Sequence, residues 1–409
     1  MNKKVKLGEI VKIAGRVGWK GYTVEDLRDE GPWVIGANDI TIDNRLVLAK
    51  AKHISREKYE ESPEIKIELN DILIVKVGST IGKVAIVNKD IGEACINPNS
   101  VILKNCKINP SYLYYYLISS AGQSFLRNNS SASAQSALNQ LTLKEMLIDI
   151  VEEKQQENIS SILNNLNLKI ELNNRINTEL EAMAKTLYDY WFVQFDFPDK
   201  NGKPYKTSGG KMVWNEELKR EIPEGWEDGE LKDIANITMG QSPPGESYNE
   251  AEEGMIFYQG CTDFGNRFPT VRKFTTEPTR FAKEGDILLS VRAPVGTLNI
   301  SKEDCCIGRG LAALNSKDNC IAYLFGVMVN LKQIFDRRNV DGTTFGSITK
   351  DDLFSLKVIK PEKSILKQYH SIINPAFEKQ NKLELENIKL TELRDWLLPM
   401  LMNGQVKVN

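Results

Sequence analysis

Residues 152–195 read EEKQQENISSILNNLNLKIELNNRINTELEAMAKTLYDYWFVQF, without a proline or a glycine, and the next proline is Pro198. Stepping alternately four and three positions from Ile159 gives Leu163, Leu166, Ile170, Asn173, Asn177, Leu180, Ala184, Leu187 and Trp191. That is a heptad seam with two asparagines near its centre, flanked by Ile162, Leu172, Ile176 and Met183. At 1.5 Å per residue a helix of this length spans roughly 60 Å, longer than most globular helices. Such a seam needs a partner helix, and the chain supplies one. Ile372, Ile373, Ala376, Leu383, Asn387, Leu390, Leu393, Leu397 and Leu401 repeat the pattern 210 positions on, with Asn387 in the place of Asn177. The spacing predicts two long helices in antiparallel pairing, the second kinked near Pro375. Asn177 and Asn387 are expected close together across the pair, fixing its register.

The segments that precede the helices also repeat. KVKLGEIVKIAG (4–15) matches GELKDIANITMG (229–240), and NDILIVKVGSTIGKVAIVNK (70–89) matches GDILLSVRAPVGTLNISK (285–302). PSYLYYYLISSAGQSFLRN (110–128) matches CIAYLFGVMVNLKQIFDRR (320–338), and LTLKEMLIDIVEE (141–153) matches ITKDDLFSLKVIKP (348–361). The D-I-L stretches read as strands closed by glycine-bearing turns, the aromatic stretch after Pro110 as a helix, and NNSSASAQSALNQ as a polar loop. Between the copies, FPDKNGKPYKTSGGK is rich in Pro, Gly and Lys and reads as a linker or hairpin. The order is globular segment, helix, globular segment, helix. A repeat this long implies pseudo-two-fold symmetry, since solenoid units run 20–50 residues.

The chain of 409 residues is long enough for two or three domains. With a formal charge of -2, any nucleic-acid surface must be a local patch. No stretch of 18 apolar residues predicts a membrane span, and the N-terminus has no apolar signal core. The six cysteines show no C-x-x-C spacing, and the only histidines are His53 and His370, so neither a zinc site nor a disulfide framework is expected. A reducing cytoplasm fits this usage.

Catalytic strings are weak. Gly78-Ser79-Thr80-Ile81-Gly82-Lys83-Val84 is one residue short of a phosphate loop and ends in valine, so it reads as a strand–turn–strand. Asn374-Pro375-Ala376-Phe377 is one residue off the N-P-P-F of amino-methyltransferases, but it lies on a long helix with no glycine-rich cofactor loop to accompany it. Asp263-Phe264-Gly265 has no kinase companion motif. Binding is better supported. Arg267, Arg272, Lys273, Arg280, Arg292 and Arg309 lie among Tyr258, Phe264, Phe268 and Phe274, and a guanidinium can fork onto a guanine edge or a phosphate. Lys20, Arg45, Lys50, Lys52, Lys76 and Lys83 are the cations of the first copy. Lys76 and Arg292 form the sharpest pair, each ending the D-I-L strand before a glycine-bearing turn.

MGQSPPG (239–245), YQGCTDFGNRFP (258–269), GDILLSVRAPVGTLNI (285–300), CCIGRGLAAL (305–314), IPEGW (222–226) and LRDWLLPMLMNGQVKV (393–408) resemble the specificity subunit of type I restriction–modification systems. FDFPDKNGKPYKTSGGKMVW (195–214) resembles that family's link after its first conserved helix. The resemblance covers essentially the whole chain. It implies an α+β architecture, with two mixed α/β target recognition domains separated by two long antiparallel coiled-coil helices as a pseudo-two-fold internal repeat. The domains are then residues 1–151 and 229–361, the spacer helices 152–195 and 362–402, with a linker at 196–228 and a tail at 403–409. Each recognition domain reads one half of a split double-stranded DNA target. Candidate DNA contacts are Lys20, Arg45, Lys76, Ser79 and Lys83 in the first domain, and Gln241, Ser242, Tyr258, Gln259, Arg267, Arg272, Arg292 and Arg309 in the second. The helices dock two methyltransferase subunits through anchors such as Tyr188, Trp191 and Trp396, and restriction subunits join that core. The resemblance implies no catalysis and no cofactor on this chain, with S-adenosylmethionine, ATP and Mg on the partners. Two departures stand out: the first copy lacks the I-P-E-G-W lead-in, and its turn VGSTIG has one residue more than RAPVG. The rival reading is a stand-alone DNA methyltransferase or nuclease with its own reader domain.

Overall fold

The computed structural model describes residues 3–15, 22–129, 137–340 and 347–408. The chain divides into two compact units, Met1–Ile170 with Lys389–Asn409, and Glu171–Ile388. Each takes one globular segment and part of both long helices.

In the first unit the apolar run at Ile72–Val75 forms the centre of a four-stranded antiparallel sheet, in the order Lys12–Gly15, Ser100–Lys104, Ile72–Val75, Val84–Ile86. Its residues alternate between two cores, as the period of a strand requires. Ile72 and Ile74 pack under Tyr112, Leu113 and Tyr115 of the helix Pro110–Ile118, whereas Leu73 and Val75 face Val34, Ile54 and Ile96. A three-stranded sheet of Lys52–Ile54, Leu27–Ile35 and Ala94–Ile96 covers that second face, its last two strands parallel. Lys3–Lys6 pairs with Leu147–Ile150.

The second unit repeats this plan. Ala235–Met239, Leu311–Ser316, Ile287–Ser290 and Leu298–Ile300 form the equivalent sheet, and Ile287 faces Leu314 as Ile72 faces Leu103. Glu227–Glu230 pairs with Lys357–Lys360, and the outer sheet has grown to five strands around the parallel pair Met255–Tyr258 and Cys305–Ile307. The helix tie repeats as well. The Tyr112 hydroxyl donates to the Asp149 carbonyl at 2.7 Å, and Tyr323 to the Ile359 carbonyl at 2.8 Å. The expected linker includes a hairpin, Met212–Asn215 with Arg220–Pro223.

The long helices are Glu153–Tyr188 and Lys363–Met402. The second runs through Pro375 as one helical segment. The first ends in a π-turn, Asp189–Val193, where the Gln194 amide donates to the Asp189 carbonyl at 2.8 Å, and Phe195 leaves it at a φ of 68°. The first seam is in place, with Ile159, Leu163, Ile170, Asn173 and Trp191 buried and no seam position exposed. In the second helix Ile372 and Leu393 are exposed, and the buried line is Tyr369, Ile373, Phe377, Gln380, Leu383 and Asn387.

Within the second unit the helices run antiparallel, with a buried amide ladder between them. The Asn173 side chain donates to Asn387 Oδ1 at 3.0 Å, Asn387 donates to Asn174 Oδ1 at 2.8 Å, and Gln380 donates to the Asn177 carbonyl at 3.3 Å. The expected Asn177–Asn387 contact is therefore corrected by one turn: Asn387 bonds to Asn173 and Asn174. Residue 383, which holds Asn173's place in the second helix, is a leucine and offers Asn177 no matching amide. Asn177 Oδ1 is accordingly buried without a hydrogen bond. Within the first unit Arg394 donates to Asn167 Oδ1 at 3.1 Å, and Ile159 and Leu163 share a core with Leu401 and Met402.

Candidate nucleic-acid interface

Four chain passages meet at one edge of the second unit. The Gly240 amide donates to the Leu311 carbonyl at 2.9 Å and the Gln241 amide to the Ile307 carbonyl at 3.0 Å. Gly308 donates to Tyr258 at 2.8 Å, Gly310 to Gln259 at 3.1 Å, and Val291 to the Gly310 carbonyl at 2.9 Å. The approach is so close that a Cβ on Gly240 would stand 2.1 Å from the Gly308 carbonyl oxygen, so only glycine fits there. This backbone weave brings Gln241, Ser242, Gln259, Arg292 and Arg309 to neighbouring loop positions, and all but Ser242 are exposed. Arg309 donates through Nε to the Ser242 hydroxyl at 3.3 Å, which orients its guanidinium. Paired amides and guanidiniums are the side chains that fork onto adenine and guanine edges.

The other expected contacts of this domain lie elsewhere. Tyr258 is 1% exposed, packed with Leu288, Ile307 and Leu311, and burial pushes its hydroxyl pKa up. It is a core residue, because its strand position points inward. Arg272 is ion-paired to Asp263. Arg267 faces the second long helix: its guanidinium lies 4.3 Å from the Phe377 ring centre and donates to Asn381 Oδ1.

The first unit shows why the Lys76–Arg292 match misleads. The Lys76 amide donates to the Asn99 carbonyl and its carbonyl accepts from Leu138, each at 2.8 Å. In the second unit Val291 makes these two bonds, to Gly310 and from Ile348. The following residues, Val77 and Arg292, make the equivalent bridges to Ala137 and Ser347. Lys76 thus corresponds to Val291 and Val77 to Arg292, a slip of one residue that changes the face on which a strand side chain emerges. By the same logic Asn97, whose amide donates to Ile35, corresponds to Gly308, and Pro98 to Arg309. Lys83 donates to the Ile40 carbonyl at 2.8 Å and braces a loop, and Arg45 is ion-paired to Asp43. Ser79 is exposed on the turn, as is Asn99, which the sequence reading missed although its Asn-Pro-Asn turn precedes a strand just as Gly-Arg-Gly does in the second copy. Lys20 lies outside the described residues.

Of the expected docking anchors, Trp396 is 55% exposed, whereas Tyr188 and Trp191 are buried in the core of the second unit. Their rings pack on Phe192, Tyr323 and Tyr369. They are unavailable to a partner. Among the described residues, no group of three or more His, Cys, Asp or Glu is placed to hold a metal ion, and no helix is long and apolar enough to cross a membrane.

A sheet-and-helix unit present twice, with arginines and amides on the loop edge of the second copy, is consistent with a protein that recognises DNA sequence with repeated domains. The chain belongs to the family of the type I restriction modification DNA specificity domain, whose model matches residues 2–182 and again 223–393. It is 30% identical to the putative type I restriction enzyme MjaX specificity subunit of Methanocaldococcus jannaschii, over 99% of this chain and 96% of that one. The MjaIX specificity subunit of the same organism is 25% identical over 99% and 93%. A crystal structure of a type I restriction-modification system S subunit from M. genitalium matches with a TM-score of 0.60 and 16% identity, covering 98% of this chain and 96% of that one, a likeness of fold.

Proposed function

We propose that this specificity subunit reads a bipartite, asymmetric double-stranded DNA target, one half with each domain, while its helices dock two methyltransferase subunits. Restriction subunits then join through that core. This chain is the non-catalytic reader, and S-adenosylmethionine, ATP and Mg belong to its partners. The observation that carries the asymmetry is the contrast between the two edges at corresponding positions, Arg292 and Arg309 in one, Val77 and Pro98 in the other. At these two positions the same backbone frame thus offers guanidiniums to one half-site and apolar side chains to the other. Phosphate contacts supply salt-dependent affinity and base contacts supply choice.

Replacing Arg292 by Ala is expected to weaken specific binding of the assembled methyltransferase by ~1–3 kcal/mol and to relax one base position in one half-site. Methylation mapping on half-site variants checks this. Equal relaxation in both halves, or a change confined to the salt slope, would make Arg292 a backbone contact. The purified chain alone is expected to transfer no methyl group to DNA and to cleave none. Methylation without a partner subunit would instead favour the stand-alone methyltransferase.

A further inference from the structure

The residues from Asp263 to Arg272 form a hairpin that leaves the interface edge and reaches the second long helix. Its base is closed by the Asp263–Arg272 ion pair and by the Thr270 amide donating to the Asp263 carbonyl at 2.8 Å. Its tip is closed by a bridge between Phe264 and Pro269. One flank is laid along the strand Leu298–Ile300, where the Ile300 amide donates to the Arg267 carbonyl at 2.8 Å and Asn299 donates to the Gly265 carbonyl at 3.0 Å. Upstream the chain continues directly into Gln259, whose carbonyl is bonded to Gly310 beside Arg309. One hydrogen-bonded stretch of chain therefore runs from the DNA-facing edge to the hairpin tip.

At the tip, the Arg267 guanidinium lies over the Phe377 ring and donates to Asn381 Oδ1 and, at 3.4 Å, to the Phe377 carbonyl. The site is buried enough to bring the arginine pKa down to about 10, so the side chain stays charged at neutral pH. A buried cation is a poor way to gain stability, because desolvation offsets most of what its partners return, whereas its forked donors restrain direction. An apolar side chain would have packed there without that restraint. The first unit has a hairpin in the same place, bridged from Ile40 to Leu46 after a single helical turn, Ala37–Asp39, as the second follows Cys261–Asp263. It is anchored differently, through the Tyr114 hydroxyl donating to the Asn44 carbonyl at 2.9 Å. That anchor lies on the domain's own helix Pro110–Ile118, whereas Arg267 reaches a long helix.

We propose that Arg267 is a positioning residue that pins the reading edge of the second domain to the helix pair, and thereby sets which spacer lengths between the half-sites are accepted. The inference rests on the bipartite reading above. The test uses the full chain assembled with its methyltransferase subunits, on DNA carrying both mapped half-sites separated by the cognate spacer or by one or two base pairs more or fewer. In Arg267→Ala, the preference for the cognate spacer over its neighbours should fall about tenfold, with base preference in both half-sites unchanged. Arg267→Lys, which keeps charge but loses the fork, should be intermediate. Asn381→Ala removes only one acceptor and should shift the ratio in the same direction, which keeps the test open if Arg267→Ala folds poorly. Altered base preference in the second half-site would make Arg267 a base reader and overturn the proposal. So would an unchanged spacer ratio with uniform loss of activity, the result of a brace for folding alone. A wild-type complex with no bipartite target would instead remove the reading on which the inference rests.

Discussion

Replacing Phe192 by Ala is expected to lower the stability of the second unit by about 3–5 kcal/mol, the range for removing a buried aromatic side chain. Phe192 lies within 4.7 to 6.3 Å, centre to centre, of the rings of Tyr188, Trp191, Trp226, Tyr323 and Tyr369. Those rings come from the end of the first long helix, from the entry to the second recognition domain, from the helix Ile321–Val340 and from the second long helix. The deletion therefore loosens every element that meets there, and each aromatic pair adds ~0.5–1.5 kcal/mol beyond its area. Urea unfolding followed by tryptophan fluorescence reads the cluster directly, since Trp191 and Trp226 belong to it. Phe192→Leu, which leaves less void, should cost less than half as much. A midpoint unchanged in Phe192→Ala would mean that the cluster is dispensable packing.

This cluster also marks where sequence reasoning stopped being sufficient. The duplication was legible because the D-I-L strands, the aromatic helix and the heptads recur in one order, and the central strands are apolar on both faces wherever they recur. The first seam was legible as far as Trp191. Tyr188 and Trp191 were misjudged as docking anchors. Trp191 is itself a seam position, so burial rather than docking is what the heptad implies for it, and Tyr188 is buried by Phe192 and by Tyr323, a ring partner far along the chain that local spacing does not show. The Lys76–Arg292 match failed for a different reason. The two turns differ by one residue, so alignment on the cation and alignment on the hydrogen-bond ladder disagree, and the ladder decides. Arg267 carries no local signal separating a base reader from a brace, since its partners Phe377 and Asn381 lie more than a hundred residues on. Gly326 is a further case. A Cβ there would stand 2.3 Å from the Tyr188 ring, a constraint invisible without the packing.

If the helices separate the half-sites, their length should be readable in the DNA. The TELE stretch at 178–181 invites an insertion, but it falls inside the second unit, with Glu181 on a cavity of about 490 Å³ that Arg267 and Phe377 also line. An insertion there would disturb the brace along with the spacing. The better place is the passage between the compact units, four residues after Ile170, matched by four after Ile388 so that the Asn173–Asn387 ladder keeps its register. Four helical residues add about 6 Å of rise and a net turn of ~40°. One base pair adds about 3.4 Å and turns the duplex by roughly 35°. Rotation alone favours one additional base pair and rise favours nearly two, so the preferred spacer should lengthen by one or two. The bases read in each half-site should stay the same, because both loop edges are untouched. A single-helix insertion should instead cost activity on every spacer, since a four-residue stutter in one strand of the pair unwinds it locally against its partner. Methylation mapping on spacer-variant DNA with the assembled complex distinguishes these outcomes. An unchanged preferred spacer with full activity in the double insertion would place the ruler in the methyltransferase subunits and not in this chain.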